Sequence, residues 1–303
     1  MISLKQVNYA LAVEKTLHFK KAAEACNVSQ SALSTALMEM EKQLGFQVFE
    51  RNNKKVMVTP LGQQVLEKAK VIKLQMDDLS KLSRTQNEPL SYPISIGMIP
   101  TIGPYILPMV LPTLNELYPD LKLGVVEEQS HVLVDMVRSG DIDTAILALP
   151  YDCSGLLTFE FWGEDFYWAT HCDDIKGKQT EIGSDELDRA KLMLLKDGHC
   201  LKDHALAACK LPKENSAHSL GATSLATLIQ LVAGKVGTTL VPQMALDQLI
   251  NINPSLTAVH LNEPSPHRKI AFVVRPNYAR LNDIEHLMAL FKEQLQKSVS
   301  TLE

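Results

Sequence analysis

The two residues with the most chemistry in reach are Cys200 and Cys209, in and just after the segment Leu194-Leu195-Lys196-Asp197-Gly198-His199-Cys200-Leu201-Lys202-Asp203. An apolar pair leading through a glycine turn reads as a strand running into a helix, with Cys200 at the helix start. A thiol there meets unpaired backbone N–H groups, the positive helix end, and the neighbours His199 and Lys202, all of which favour the thiolate. A thiolate attacks a peroxide oxygen to give a sulfenic acid, which a second thiol resolves as a disulfide. Cys209 is the nearest candidate, but a helix over 200–209 would hold the two Cα atoms about 13 Å apart at ~1.5 Å per residue. A disulfide tolerates no more than about 7 Å. The bond therefore requires the helix to be remodelled, and that requirement is what would make it a switch. On spacing alone, two unrelated buried thiols on an amphipathic helix are the simpler reading.

The other cysteines are Cys26, Cys153 and Cys172. Cys26 lies on the apolar side of its helix and reads as a small hydrophobe. Cys153 and Cys172 sit in loop-like surroundings. An odd total, with no CxxC and no histidine spacing suited to zinc, argues against a disulfide framework and against a metal centre. No cofactor is expected.

What must position Cys200 is an alternation of strands and helices from Tyr92 onward. Ile94–Met98, Leu121–Glu127, Thr144–Leu149, Leu192–Leu195, Thr238–Val241 and Ile270–Val274 read as strands. Gly103–Leu117, Leu133–Arg138, Cys200–Cys209, Ser224–Ala233 and Asp283–Lys297 read as helices. The pattern predicts an α/β architecture with parallel sheets, whose sites lie beyond the carboxyl ends of strands. Thr101, Ser130 and His199 each follow a predicted strand and could converge on one crevice.

The first 62 residues read differently, as three short helices and a hairpin. Val7, Ala10, Leu11 and Val13 form one apolar stripe, and Phe19, Ala22, Ala23 and Cys26 a second. Ser29 is placed to cap a third helix running from Gln30 to Leu44 and ending at Gly45. That helix buries Leu33, Leu37, Met40 and Leu44 and shows Gln30, Ser31, Ser34 and Thr35 on its other side. Arg51, Lys54 and Lys55 mark a basic turn. Two helices joined by a tight turn and followed by a basic hairpin are the layout of a winged helix-turn-helix, and on the pattern alone an ordinary three-helix bundle with a solvated polar face fits equally well. In the winged fold short polar side chains, here with Ser29, reach base edges and the wing meets phosphates.

Thr59-Pro60 then opens a long helix. Leu61, Val65, Ala69, Ile72, Met76 and Leu79 recur at near-heptad spacing along it, as a seam for a second chain would. The charge divides accordingly: residues 1–88 carry 13 basic and 9 acidic side chains, the remainder 17 and 26. No stretch approaches the ~18 apolar residues of a membrane span, and the N-terminus lacks the pattern of a secretory signal. A cytoplasmic protein is expected.

Several motifs narrow this reading. Phe19-Lys20-Lys21-Ala22-Ala23-Glu24, Val28-Ser29-Gln30-Ser31-Ala32-Leu33-Ser34, Leu44-Gly45, Phe49-Glu50-Arg51 and Thr59-Pro60-Leu61-Gly62 stand in the order seen in LysR-type transcriptional regulators, and the chain resembles that family. The resemblance implies binding of double-stranded operator DNA, a dimerising linker helix, a homodimer that assembles into a homotetramer, and contact with RNA polymerase. It also implies an effector domain of two α/β subdomains built like periplasmic binding proteins, with chain crossings near Gly163 and Pro266. The expected division is a DNA-binding domain over 1–58, a linker helix over 59–88 and an effector domain over 89–303. Subdomain I would comprise about 89–162 with 267–303, and subdomain II about 163–266.

Asp197 to Asp203, Cys209, Ala222-Thr223-Ser224-Leu225, Ile99 to Tyr105 and Ile146 to Leu149 are further similar to the peroxide-sensing members of the family. That similarity implies Cys200 as the peroxide-reacting cysteine and Cys209 as the resolving one. It places Thr101, Ser130, His199, Asp203 and Arg268 around the peroxide. Ser130 stands in place of the usual threonine, Gly221 where a basic residue is expected, and Gln30-Ser31-Ala32 in place of Gln-Pro-Thr. Two other readings are weighed. One is a LysR-type regulator of a small organic ligand with incidental cysteines. The other is a thiol peroxidase, which would have no use for the first 88 residues.

Overall fold

The computed structural model describes the whole chain except residues 53–54, 83–88, 176–178, 189, 197, 212–221, 223 and 301–303. It divides into two compact units, Met1–Gln86 and Asn87–Glu303. No helix among the described residues is long and apolar enough to cross a membrane.

The first unit packs α1 (Leu4–Thr16), α2 (Phe19–Ala25) and α3 (Gln30–Leu44) around Ala10, Val13, Leu33, Leu37, Met40 and Phe49. Burying each Leu or Val of such a core stabilises the fold by roughly 1.5–3 kcal/mol. The helix limits follow from local chemistry. The Ser29 hydroxyl accepts the backbone N–H of Ala32 at 3.2 Å, and Gly45 closes α3 at a φ of +80°, where a side chain would be strained. Gln6 Nε2 donates to the Ala36 carbonyl at 3.1 Å, tying α1 to α3. The hairpin β1 (Phe49–Asn52) and β2 (Lys55–Val58) follows. One carboxylate oxygen of Glu41 holds its approach, accepting the N–H groups of Val48 at 2.9 Å and Phe49 at 3.0 Å. Thr59 caps α4 (Pro60–Leu82), its Oγ1 accepting the Gly62 N–H at 2.8 Å.

The heptad reading of α4 needs correction. Ala69 is only 3% exposed within the single chain, and Val65 packs on the three-helix core beside the fully buried Leu66. These two face their own unit. Leu61, Ile72, Met76 and Leu79 are exposed, together with Val71. A repeat of apolar residues marks a buried side but not what buries it.

The second unit holds two sheets. In the first, β3 (Ile94–Met98) runs parallel to β4 (Leu123–Glu127) and to β5 (Thr144–Leu149). β11 (Arg268–Val274) lies antiparallel to both β5 and β6 (Leu157–Glu164), giving the order β4-β3-β5-β11-β6. α5 (Gly103–Leu117), α6 (Ser130–Ser139) and α10 (Leu281–Ser300) pack against it. The second sheet has the order β8-β10-β7-β9, formed by β7 (Phe166–His171), β8 (Glu181–Ile182), β9 (Thr239–Pro242) and β10 (Leu256–Leu261). α7 (Cys200–Ala208), α8 (Leu225–Ala233) and the short α9 (Leu246–Leu249) complete the unit. The chain leaves the first sheet between Glu164 and Phe166 and returns between Leu261 and Arg268.

The α/β architecture stands, but the sheets are mixed rather than parallel. β11 re-enters from the other sheet, so it runs against its neighbours. Leu192–Leu195 contributes two isolated bridges, Leu192 with Thr238 and Leu195 with Ala222, instead of a strand.

Candidate functional site

Cys200 is the first residue of α7, after a turn in which Gly198 takes a φ of +97°. A Cβ at Gly198 would come within 2.7 Å of Gln129 Oε1, so glycine lets this turn lie against the start of α6. Ser130, the first residue of α6, is 1% exposed. Its hydroxyl lies close enough to the Cys200 sulfur to favour the thiolate, yet it makes no aligned hydrogen bond among the described residues. Thr101 sits just before α5, also buried. Three helix starts thus deliver Thr101, Ser130 and Cys200.

Arg268 opens β11 from the opposite side and is fully buried. Its Nη1 donates to Thr101 Oγ1 at 3.2 Å and its Nη2 to the Thr101 carbonyl at 3.1 Å. The guanidinium is held by Glu164, with Nε to Oε1 at 2.8 Å and Nη2 to Oε1 at 2.6 Å. Glu164 is itself fixed, as its Oε2 accepts the Met244 N–H at 2.9 Å. Glu164 and Arg268 are direct partners in the β6–β11 register. The sequence reading missed Glu164. No local pattern singles it out, since Asp165 follows it directly and its partner stands on the distant return passage.

Burial pushes the Cys200 thiol up from its ordinary value. The Ser130 hydroxyl and the Arg268 guanidinium pull against burial, and the Asp203 carboxylate adds to the rise. The resting thiol is therefore protonated, which corrects the expectation of a thiolate favoured by the helix end. His199 is half-buried at the cap of α7, and burial pushes its pKa down, so it is neutral near pH 7. Asp203 is exposed on the first turn of α7. Tyr151 lies near both Cys200 and Cys153, and its phenol is pushed up first by burial and then by these two thiols.

Cys209 caps the far end of α7, buried and reduced like Cys200. With α7 helical from Cys200 to Ala208, the two Cα atoms stand about 13 Å apart at ~1.5 Å per residue. Beyond Cys209, Lys210 adopts a φ of +54°, which is costly for a side-chain-bearing residue. Gly221 lies outside the described residues. Cys153 is buried, Cys172 exposed and Cys26 half-buried rather than fully so. Among the described residues no cluster of His, Cys, Asp or Glu is suited to a metal ion.

On the first unit, Ser29, Gln30, Ser31 and Thr35 are exposed along the start of α3, and Ser34 is half-buried. The side chains of Arg51 and Lys55, and all of Lys54, lie outside the described residues.

A helix-turn-helix with a wing, joined to a two-sheet α/β unit, defines a class, and the chain belongs to the LysR family of bacterial transcriptional regulators. Residues 4–63 match the bacterial regulatory helix-turn-helix protein of the lysR family, and residues 87–296 the LysR substrate binding domain. The chain is 36% identical to the HTH-type transcriptional regulator EstR of Acinetobacter baylyi over 96% of both chains. It is 30% identical to the DNA-binding transcriptional dual regulator OxyR of Escherichia coli K12, over 97% of this chain and 96% of that one. Among solved structures, full-length OxyR of Pseudomonas aeruginosa, a Cys-to-Asp variant, superposes with a TM-score of 0.79 at 30% identity, covering 96% of this chain and 95% of that one. A peroxide-bound OxyR of Corynebacterium glutamicum gives 0.68 at 32% identity, over 99% and 94%.

Proposed function

We propose that this chain is a DNA-binding transcription regulator that senses hydrogen peroxide through Cys200. The Cys200 sulfur attacks one peroxide oxygen, the O–O bond breaks, and the departing hydroxide takes up the thiol proton, leaving a sulfenic acid and water. Cys209 then attacks that sulfur, a second water leaves, and a Cys200–Cys209 disulfide remains. Thr101, Ser130, His199 and Asp203 bind and orient the peroxide, and Arg268 stabilises the departing hydroxide. The observation that carries this reading is Cys200 held at the start of α7, with Ser130 and the Arg268 guanidinium acting on its sulfur and Arg268 bonded to Thr101. The second thiol sits out of reach at the other end of the same helix.

Oxidation must unwind α7, and the new local fold alters the assembly that grips DNA. Ser29, Gln30, Ser31, Ser34 and Thr35 then read the major groove while Arg51, Lys54 and Lys55 meet phosphates. The exposed stripe Leu61, Ile72, Met76 and Leu79 pairs two chains, two dimers form a tetramer, and the complex engages RNA polymerase in the cytoplasm. The chain is a sensor consumed once per signal, not a peroxidase. In this reading the DNA-binding domain is 1–58, the linker helix 59–88 and the effector domain 89–303, its subdomains meeting near 163 and 266. The test is peptide mass spectrometry after a stoichiometric peroxide pulse. A Cys200–Cys209 crosslink is expected, and thiols left free would refute the reading.

One observation favours a second reading, regulation by a small organic ligand. A cavity of about 610 Å³ opens beside the site, lined by Leu149, Pro150, Tyr151, Leu156, Glu160 and Lys269. In that case Cys200→Ser would leave the response to peroxide unchanged, and a metabolite would raise the unfolding temperature.

A further inference from the structure

His204 belongs to no part of the site described so far. It is 3% exposed and lies one helical turn beyond Cys200 on α7. Residues four apart share a helix face, and helical side chains lean toward the N-terminus, so the His204 ring covers the turn that begins with Cys200. Its Nε2 stands 3.1 Å from the Pro150 carbonyl oxygen. That oxygen can only accept, so Nε2 carries the hydrogen and Nδ1 presents a lone pair. Nδ1 is buried and meets no partner among the described residues. A buried acceptor left without a donor is costly, and here it stands on the helix face of Cys200, four residues on.

We propose that His204 is the proton acceptor of Cys200, a role that rests on the peroxide-sensing reading above. As the sulfur attacks the nearer peroxide oxygen, the thiol proton passes to His204 Nδ1. The O–O bond breaks, its electron pair leaves with the distal oxygen, and the imidazolium returns the proton to give water. Sulfur is oxidised, peroxide is reduced, and His204 ends as it began. The Pro150 carbonyl steadies the transient imidazolium by accepting from Nε2. Arg268 on β11 opposes that charge, and Asp203 on α7 favours it. Burial pushes the His204 pKa down, so the ring is neutral and able to accept at pH 7. The same burial, which pushes the Cys200 thiol up, makes a base necessary.

The experiment follows loss of the free Cys200 thiol in the full-length protein under excess hydrogen peroxide, by quench alkylation and mass spectrometry from pH 6 to 9. With a base at hand the unmodified protein reacts at a rate nearly independent of pH between 7 and 9. His204→Gln keeps an N–H donor for Pro150 but has no base. Its rate at pH 7 falls at least tenfold and climbs about tenfold per pH unit, because only preformed thiolate reacts. A merely structural role would not change that slope. A His204→Gln rate and profile equal to the unmodified protein would overturn the inference while leaving peroxide sensing intact. So would a tenfold climb per pH unit in the unmodified protein, which needs no variant to fold. An unreactive Cys200 in the unmodified chain would overturn both.

Discussion

Glu164 and Arg268 show how much one buried pair decides. Neither side chain is exposed, so Glu164→Gln leaves a guanidinium buried without its counter-charge. Breaking such a pair costs about 3–5 kcal/mol, and urea unfolding should show a loss of that size, with slower oxidation of Cys200 because Arg268 is no longer held. His204 adds a pH dependence. Its folded-state pKa lies below the ordinary 6.5. Its contribution to stability is therefore complete above that value and is lost as pH falls through the lowered one. The unfolding temperature of the unmodified protein should fall below about pH 6.5, more steeply than that of His204→Gln. At this scale the sequence showed only part. Cys200, Gly198 and the caps Ser29 and Thr59 were legible because their work is local. Glu164 was not, since its partner lies 104 positions away and a carboxylate at a strand end, followed by Asp165, reads as solvated.

The elements tell the same story through periodicity. α3 and α8 were legible from apolar residues at helical spacing, and the structure returns them within a residue or two. β6, β7 and β10 were not, because their burial alternates irregularly and neither a period of two nor a continuous apolar run stands out. For the proposed switch the decisive element is α7, whose helix keeps the two thiols apart. Proline at the exposed position 207 would remove a helical N–H and clash with the preceding turn, costing about 3 kcal/mol. Ala207→Pro should therefore form the Cys200–Cys209 crosslink faster once Cys200 is oxidised, read by non-reducing peptide mapping. A crosslinking rate unchanged from the unmodified protein would show that unwinding is not the barrier.

In the whole molecule, α4 exposes Leu61, Val71, Ile72, Met76 and Leu79. Leu79→Glu with Ile72→Glu sets like charges where two α4 helices would meet, while Ala69 and Leu66 still secure α4 to its own unit. Sedimentation equilibrium should give a smaller assembly than the unmodified protein, and operator affinity should fall by more than tenfold because the two recognition helices are no longer paired through α4. The Glu164–Arg268 pair has a wider consequence. Each member stands where the polypeptide passes between sheets, one on the outward crossing and one on the return. The pair that ties the outward crossing to the return is thus the same group that would cradle the oxidant. Selection for a more or less sensitive alarm should then leave these two positions untouched and accumulate changes around the rim of α7 instead.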